Sequence, residues 1–355
     1  MAVTLATCYV QARPLRILVG TYTENTPAEG VYLYNFDPLT AHSQLLSMAP
    51  SRNPSFVITS PDGSMAYAVN EFHDGREGVS SFVIDGNSIS PLNSTRMPNE
   101  KVNGRDPCNI LCTGKALVTS NYTGGTFSAF SISNEGLVGD LTQSFVPPQG
   151  KMAVHMHCAV ISPDGKYIFG TNLGNDCIHR FDLLECDRPL GDVKTAWQHR
   201  GLEKFGPRHM VFSTDGKFAY LLCELGDRLV VFSYDNGELT PVQTLKAYKG
   251  KGRGSADIHL SPDGRFLYTS HRLKEDGIAI FSVNPQTGKV KRAGYQKTGI
   301  HPRNFAISPD GHWLLCACRD SNRIEVYSVN TKTGALTLMD KAIEVGAPVC
   351  IQFLP

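Results

Sequence analysis

Ser162-Pro163-Asp164-Gly165 is one of five closely similar tetrapeptides whose spacing decides the fold. It recurs as Ser60-Pro61-Asp62-Gly63, Ser261-Pro262-Asp263-Gly264 and Ser308-Pro309-Asp310-Gly311, with Ser213-Thr214-Asp215-Gly216 as a variant. Proline presets φ at the second turn position, aspartate bonds back to the backbone and glycine closes the turn, so these aspartates are expected to be turn residues. The serines at 162, 213, 261 and 308 lie 51, 48 and 47 residues apart. The 102 residues between Ser60 and Ser162 leave room for two units, the second marked by the degenerate Cys112-Thr113-Gly114. Self-similarity at about 40 to 50 residues is the signature of a propeller.

Each unit repeats one pattern. An apolar strand precedes the turn (Ala159-Val160-Ile161, Phe305-Ala306-Ile307) and a strand rich in Tyr, Phe and Leu follows it. A third ends in a pair such as Ile280-Phe281 or Val326-Tyr327, and a Thr-Gly or Asn-Gly turn leads to a fourth, as in Thr333-Gly334-Ala335-Leu336-Thr337. Four short strands make a blade, and no helical periodicity competes. Six units account for roughly residues 52–340. Residues 16–46 carry later strands (Ile17-Leu18-Val19-Gly20, Gly30-Val31-Tyr32-Leu33-Tyr34) but no first strand, and the segment 346–353 matches the opening strand at 300–307. The predicted fold is therefore all-β: a seven-bladed β-propeller over residues 15–355, closed by the C-terminal strand completing the N-terminal blade. Closure removes the exposed edges of an open sheet.

The bulk composition narrows the function classes. With 34 basic against 33 acidic residues the net charge is +1, so no global field attracts nucleic acid or an anionic membrane. No apolar run approaches the roughly 20 residues of a membrane span. Ten cysteines without a Cys-x-x-Cys pair, most of them within predicted strands, read as buried thiols. Residues 1–14 are expected to be a leader: Met1 to Ala12 is apolar and uncharged and ends in Val-Gln-Ala. A cytoplasmic protein is expected, or a periplasmic or exported one if residues 1–12 end a signal peptide. The expected state is a monomer or weak homo-oligomer.

In a propeller the start of each first strand and the end of each second strand meet at one mouth of the central channel. Counting from the turn serine, position −5 holds Ser55, His157, Arg208, Ala256 and Arg303, with Cys108 and Val349 by local alignment. Position +11 holds Glu71, Glu224, Arg272 and Arg319, with Tyr122 and Leu173 in other blades. A core position would not repeatedly take charges. Position +10 adds Asn70, Asn121, Asn172 and His271, which predicts a polar mouth. Four arginines, two glutamates and a histidine suit a small anion, because the guanidinium fork donates two parallel hydrogen bonds and Glu or His can act as a base toward water. The competing reading is that rim arginines and glutamates merely pair with one another.

Other patterns are weaker. His155 and His157 share a strand face, but no further ligand cluster accompanies them, so no metal is expected. Lys249-Gly250-Lys251-Gly252-Arg253-Gly254-Ser255 lacks the phosphate-loop pattern and a following helix, and reads as an ordinary inter-blade loop that enters the mouth just before Ala256, within reach of a ligand for Lys251 or Arg253. Neither a Gly-x-Ser-x-Gly elbow nor a His-Glu-x-x-His helix occurs, which leaves directly activated water as the hydrolytic route.

Ile17-Leu18-Val19-Gly20-Thr21-Tyr22-Thr23, the His-x-His ahead of the turn at Ser162, Gly206-Pro207-Arg208-His209-Met210-Val211-Phe212-Ser213, Glu224 and His301-Pro302-Arg303-Asn304-Phe305 together resemble the seven-bladed lactonases that include bacterial 6-phosphogluconolactonase and fungal carboxymuconate cyclases. The resemblance runs from about Ile17 to Phe353. It implies hydrolysis of 6-phosphoglucono-δ-lactone to 6-phosphogluconate, a step of the pentose phosphate pathway, without metal or organic cofactor. It places the functional residues at His157, Arg208, Glu224 and Arg272. Glu224 or His157 would activate water, Arg208 and Arg272 would stabilise the oxyanion, and Arg303 and Arg319, helped by Lys251, would hold the phosphate. Further expected contacts to a small anionic sugar lactone are His155, Glu71, His209, Asn121 and Asn172. The chain departs from the family at Cys223 and His271, where asparagine is usual, which bears on substrate preference. The alternatives are a cyclase or lactonase for a muconate-like or unphosphorylated sugar lactone, and a non-catalytic propeller scaffold.

Overall fold

A computed structural model describes residues 14–98, 103–148, 152–250 and 253–355; the leader, apart from Pro14, and Lys251 lie outside them. Seven four-stranded antiparallel sheets form the blades. Blade 1 draws on both chain ends, with β28 (Pro348–Phe353) paired to β1 (Leu15–Thr21), then β2 (Gly30–Asp37) and β3 (His42–Pro50). The first strands of blades 2 to 7 are β4 (Val57–Thr59), β8 (Pro107–Cys112), β12 (Met156–Ile161), β16 (Pro207–Phe212), β20 (Ser255–Leu260) and β24 (Pro302–Ile307).

Burial explains the residue pattern. Second strands such as β17 (Phe218–Cys223) and β21 (Phe266–His271) are covered on both faces by neighbouring blades, so they read as continuous apolar runs. Outer strands such as β19 (Glu238–Lys246) expose one face and alternate. Among the described residues the core divides into seven clusters, each shared by two adjacent blades. Ile17, Phe36 and Ile351 pack against Leu315 and Val326 across the closure of blades 7 and 1, as Phe218 and Tyr220 pack with Leu267 and Phe281 across blades 5 and 6. The closure is thus held by the same apolar packing as any other pair of blades.

The turn aspartates are structural, as expected. At Ser162 the hydroxyl donates to Asp164 Oδ1 (2.6 Å) and accepts the Tyr167 N–H (3.0 Å), while Asp164 Oδ1 accepts the Lys166 N–H (3.2 Å). The turns at Ser60, Ser213, Ser261 and Ser308 repeat this set. A second repeated device joins the blades at position −4, where a side chain accepts a backbone N–H of the next first strand. Asn109 takes Ala159 N (3.0 Å), Asp257 takes Phe305 N (3.3 Å), Asn304 takes Ile351 N (2.7 Å), and Cys350 Sγ takes Val57 N (3.5 Å). Nine cysteines are described, all free and seven of them buried. No helix among the described residues is long and apolar enough to cross a membrane.

Candidate active site

One backbone contact brings the two counted positions together in all seven blades. The N–H at +11 donates to the C=O at −7: Glu71 to Asn53, Tyr122 to Asp106, Leu173 to His155, Glu224 to Gly206, Arg272 to Gly254, Arg319 to His301 and, in blade 1, Tyr22 to Ala347. Asn53, Asp106, Gly206, His301 and Ala347 adopt φ between 36° and 68° to present that carbonyl. The strand pairing then slips at −5, between Met156 and Cys158 and between Pro207 and His209 for example. Such a bulge re-aims the extra residue, here into the mouth.

The result is a cavity of about 220 Å³ lined by Cys108, His157 and Arg303 from −5 and by Glu71, Tyr122, Glu224 and Arg272 from +11. It is smaller than a drug-sized pocket and suits a single sugar ring. Glu224 is its centre of charge, accepting from Arg272 Nη2 at 2.7 Å and from Arg208 Nε at 3.1 Å. Arg208 is 1% exposed and lies outside the lining, against Glu224, with Nη1 donating to the Ala256 carbonyl. Opposite, Glu71 accepts from Tyr22 Oη (2.9 Å) and Ser55 Oγ and lies 3.7 Å from Arg303 Nη2, whose guanidinium sits 5.5 Å from the Tyr22 ring centre. The lining itself sets Arg272 and Arg303 against Glu71 and Glu224, and the positive excess comes from Arg208, buried behind Glu224. The rim pairing weighed from the sequence is present, but it does not neutralise the mouth.

Protonation follows from this packing. Burial alone would raise the Glu224 carboxyl, but the charges of Arg272, Arg208 and Arg303 outweigh it and hold the group below the usual carboxylate range. Burial, and then the charges of Arg208, His209 and Arg303, push His157 well below an ordinary imidazole, so it is neutral at neutral pH. Burial pushes the Cys108 thiol far up, so it supplies no thiolate nucleophile. A larger groove of about 450 Å³ outside the mouth has Arg52, Arg76 and Arg96 in its lining, but neither carboxylate nor imidazole to do acid–base work.

Several expected contacts lie elsewhere. Asn121 and Asn172 do not face the cavity: both are fully buried, Asn121 donating to Thr126 Oγ1 and Ser128 Oγ (2.9 Å each) and Asn172 accepting the Asn175 N–H (3.1 Å). One step along a strand reverses the side chain, so +10 points into the blade when +11 points into the mouth. His271 shares that inward position, with Nδ1 3.0 Å from Ser255 Oγ and Nε2 2.8 Å from Thr269 Oγ1, and Cys223 is fully buried. Neither departure from the family pattern therefore touches the cavity. Asp227, Ser255 and His271 resemble a hydrolytic triad in composition only, for the serine is fully buried and its hydroxyl donates to Asp227 (2.9 Å). Arg319 turns away to a two-pronged contact with Asp320 (2.6 and 3.1 Å). His155 stacks on Tyr122 (4.4 Å between ring centres) and reaches the Tyr122 carbonyl at 2.9 Å, so it backs a lining residue. His209 sits behind Arg208 and reaches Asp257.

Tyr22, Cys108 and Tyr122 complete the site without having been expected as contacts. Tyr22 is the +11 residue of blade 1, whose first strand stands at the other chain end and has Leu354 where a turn serine would be. Counting from 354 across the closure finds it.

The family model Lactonase, 7-bladed beta-propeller matches residues 16–353. A 6-phosphogluconolactonase from Formosa agariphila is 34% identical, over 95% of this chain and 98% of its own. The crystal structure of a candidate 6-phosphogluconolactonase from Bacteroides fragilis superposes with a TM-score of 0.90 at 39% identity, over 98% of this chain and 99% of its own. A periplasmic gluconolactonase from Pseudomonas aeruginosa gives 0.88 at 28% identity, over 96% and 99%. The chain belongs to the seven-bladed β-propeller lactonase family.

Proposed function

We propose that this protein hydrolyses 6-phosphoglucono-δ-lactone to 6-phosphogluconate in the cytoplasm, as a monomer or weak homo-oligomer and without a cofactor. The observation that carries the reading is the small cavity, lined by Arg272 and Arg303 with Arg208 behind it, in which a neutral imidazole, His157, shares the lining with a carboxylate clamped by two arginines. Both oxygens of Glu224 are engaged, so its basicity is spent on the arginines. His157, unprotonated at neutral pH, takes a proton from water as the water oxygen attacks the lactone carbonyl. Arg272 faces the oxygen on which charge develops, and Arg208 supports that geometry through Glu224. The carbonyl re-forms as the bond to the ring oxygen breaks, and that oxygen receives the proton from His157. Arg303 meets the phosphate.

A second reading, an enzyme for unphosphorylated sugar lactones, is favoured by one observation: with Arg319 turned onto Asp320, Arg303 is, among the described residues, the one lining arginine not committed to Glu224. The deciding experiment compares hydrolysis of freshly made 6-phosphoglucono-δ-lactone and glucono-δ-lactone by wild type and His157→Asn. A kcat/KM at least about tenfold higher for the phosphorylated lactone, lost in the variant, is expected, since a charge-assisted contact contributes about 1.5–3 kcal/mol. Equal rates on both lactones favour the second reading, and no acceleration on either removes the lactonase function.

A further inference from the structure

The two arginines that grip Glu224 are themselves held by a matched pair of contacts. Arg208 Nη1 lies 3.3 Å from His209 Nε2, and His209 Nδ1 lies 2.7 Å from Asp257 Oδ1. Arg272 Nη1 lies 3.2 Å from His301 Nε2, and His301 Nδ1 lies 3.4 Å from Asp320 Oδ2. Arginine only donates, so each Nε2 must carry the lone pair and each ring proton must sit on Nδ1, the nitrogen hydrogen-bonded to Asp257 in His209 and nearest to Asp320 in His301.

We propose that His209 with Asp257 and His301 with Asp320 are positioning residues for the lactonase reaction: two Arg–His–Asp arms that lock both guanidinium forks about Glu224 by presenting neutral Nδ1–H imidazoles as acceptors. This rests on the lactonase reading of the site. The arms reach Glu224 from different sides, since Arg208 and His209 are neighbours in blade 5 while His301 meets Arg272 across blades 6 and 7. Neutrality is consistent with their surroundings: burial, reinforced by nearby arginine charge, lowers His209 to about 4 and His301 to about 3. A doubly protonated ring would set N–H against N–H and release the arginine.

The arms differ in rigidity. Asp257 is buried and also bound by His259 Nε2 (2.9 Å), Asn304 Nδ2 and Phe305 N, whereas Asp320 is 42% exposed and shared with Arg319. The blade 5 arm is therefore fixed and the other adaptable. Arg319, expected from the sequence to hold phosphate, acquires here the task of anchoring Asp320.

The test has two readouts. Two-dimensional ¹H–¹⁵N spectra of the histidines in the wild type at pH 7.5, without substrate, are expected to show both rings as the Nδ1–H tautomer. An Nε2–H tautomer or an imidazolium at either position overturns the proposal, whether or not any lactone is hydrolysed. The second readout is kcat and KM for His209→Leu, His209→Gln, His301→Leu and His301→Gln, with the melting temperature of each. A glutamine amide offers an acceptor and a donor on one side chain, and leucine offers neither. Since a misplacement of about 1 Å costs on the order of 100-fold, His209→Leu should lower kcat by roughly that factor and His301→Leu by about tenfold, with KM little changed and glutamine recovering most of the loss. Leucine variants with wild-type kcat, or glutamine variants no better than leucine at matched melting temperature, refute the arms. If leucine variants do not fold, the tautomers alone decide.

Discussion

At one end of the innermost strands five blades carry the same hydrogen-bonded turn, while at the mouth no two blades present the same pair of residues. The pairs at −5 and +11 run Val349/Tyr22, Ser55/Glu71, Cys108/Tyr122, His157/Leu173, Arg208/Glu224, Ala256/Arg272 and Arg303/Arg319. The backbone contact beneath each pair is the same throughout, so the fold fixes where the side chains go and leaves their identity free. One end of the ring does the same mechanical task repeatedly. The other assembles a single charge constellation from parts no blade holds alone.

Acid separates the two ends most strongly. His157, His179, His209, His271 and His301 are all driven below the ordinary imidazole value, burial being the first cause in each: His179 and His209 to about 4, His271 and His301 to about 3. Between those values and about 6.5 the unfolded chain binds more protons than the folded one, so stability falls as pH falls. At pH 5 each ring with a folded value near 4 forfeits about 2 kcal/mol relative to pH 7.5. Although burial opposes it, Asp257 raises His259, which acts in the opposite sense as one group against five. Asp62, Asp164, Asp215 and Asp263 in the turns have lowered values, Asp62 to about 2 through its bonds from Ser60 and Ser64, so these turns keep their contribution until far lower pH. The denaturant midpoint should therefore drop steeply between pH 7.5 and 5. A flat midpoint would show that these rings are not buried neutral.

Substitution at each end sharpens the contrast. Arg272→Ala removes the guanidinium that faces the cavity and is expected to lower kcat on the order of 100-fold. Asp164→Ala at the opposite end loses the bonds to Ser162, Lys166 and Tyr234 and should cost about 1 kcal/mol of stability. Its kcat per folded molecule should not change. Measuring kcat and melting temperature for both variants checks the division, and a large loss of kcat in Asp164→Ala would refute it.

The same division sets what could be read from the sequence. The turns repeat, so their period exposed the blade count and, with 346–353 matching 300–307, the closure. The counted positions found His157, Glu224, Arg272, Glu71 and Arg303 in the lining because a backbone contact holds −5 and +11 together in every blade. The asparagines at +10 misled, since a polar residue one step from the mouth looks the same in sequence whether it faces ligand or its own blade. Arg319 misled differently, because nothing in a count reveals that a neighbouring Asp320 takes the fork. The blade-joining side chains at −4 were also missed: Asn109, Asp257, Asn304 and Cys350 share a task but no residue type.

Arg319 gives the finest test of that lesson. If position alone conferred function, Arg319 and Arg303 would contribute alike to binding the phosphorylated lactone. The structure separates them: Arg303 lines the cavity 3.7 Å from Glu71, whereas both side-chain hydrogen bonds of the Arg319 fork go to Asp320. Arg303→Ala is expected to raise KM for 6-phosphoglucono-δ-lactone by about tenfold or more, the scale of a charge-assisted hydrogen bond. Arg319→Ala should leave KM unchanged and lower kcat by about threefold or less, because an exposed ion pair contributes about 0.2–1 kcal/mol and the Asp320 it steadies reaches Arg272 only through His301. Equal increases of KM in the two variants would return Arg319 to the phosphate and make the count, rather than the contact, the better guide.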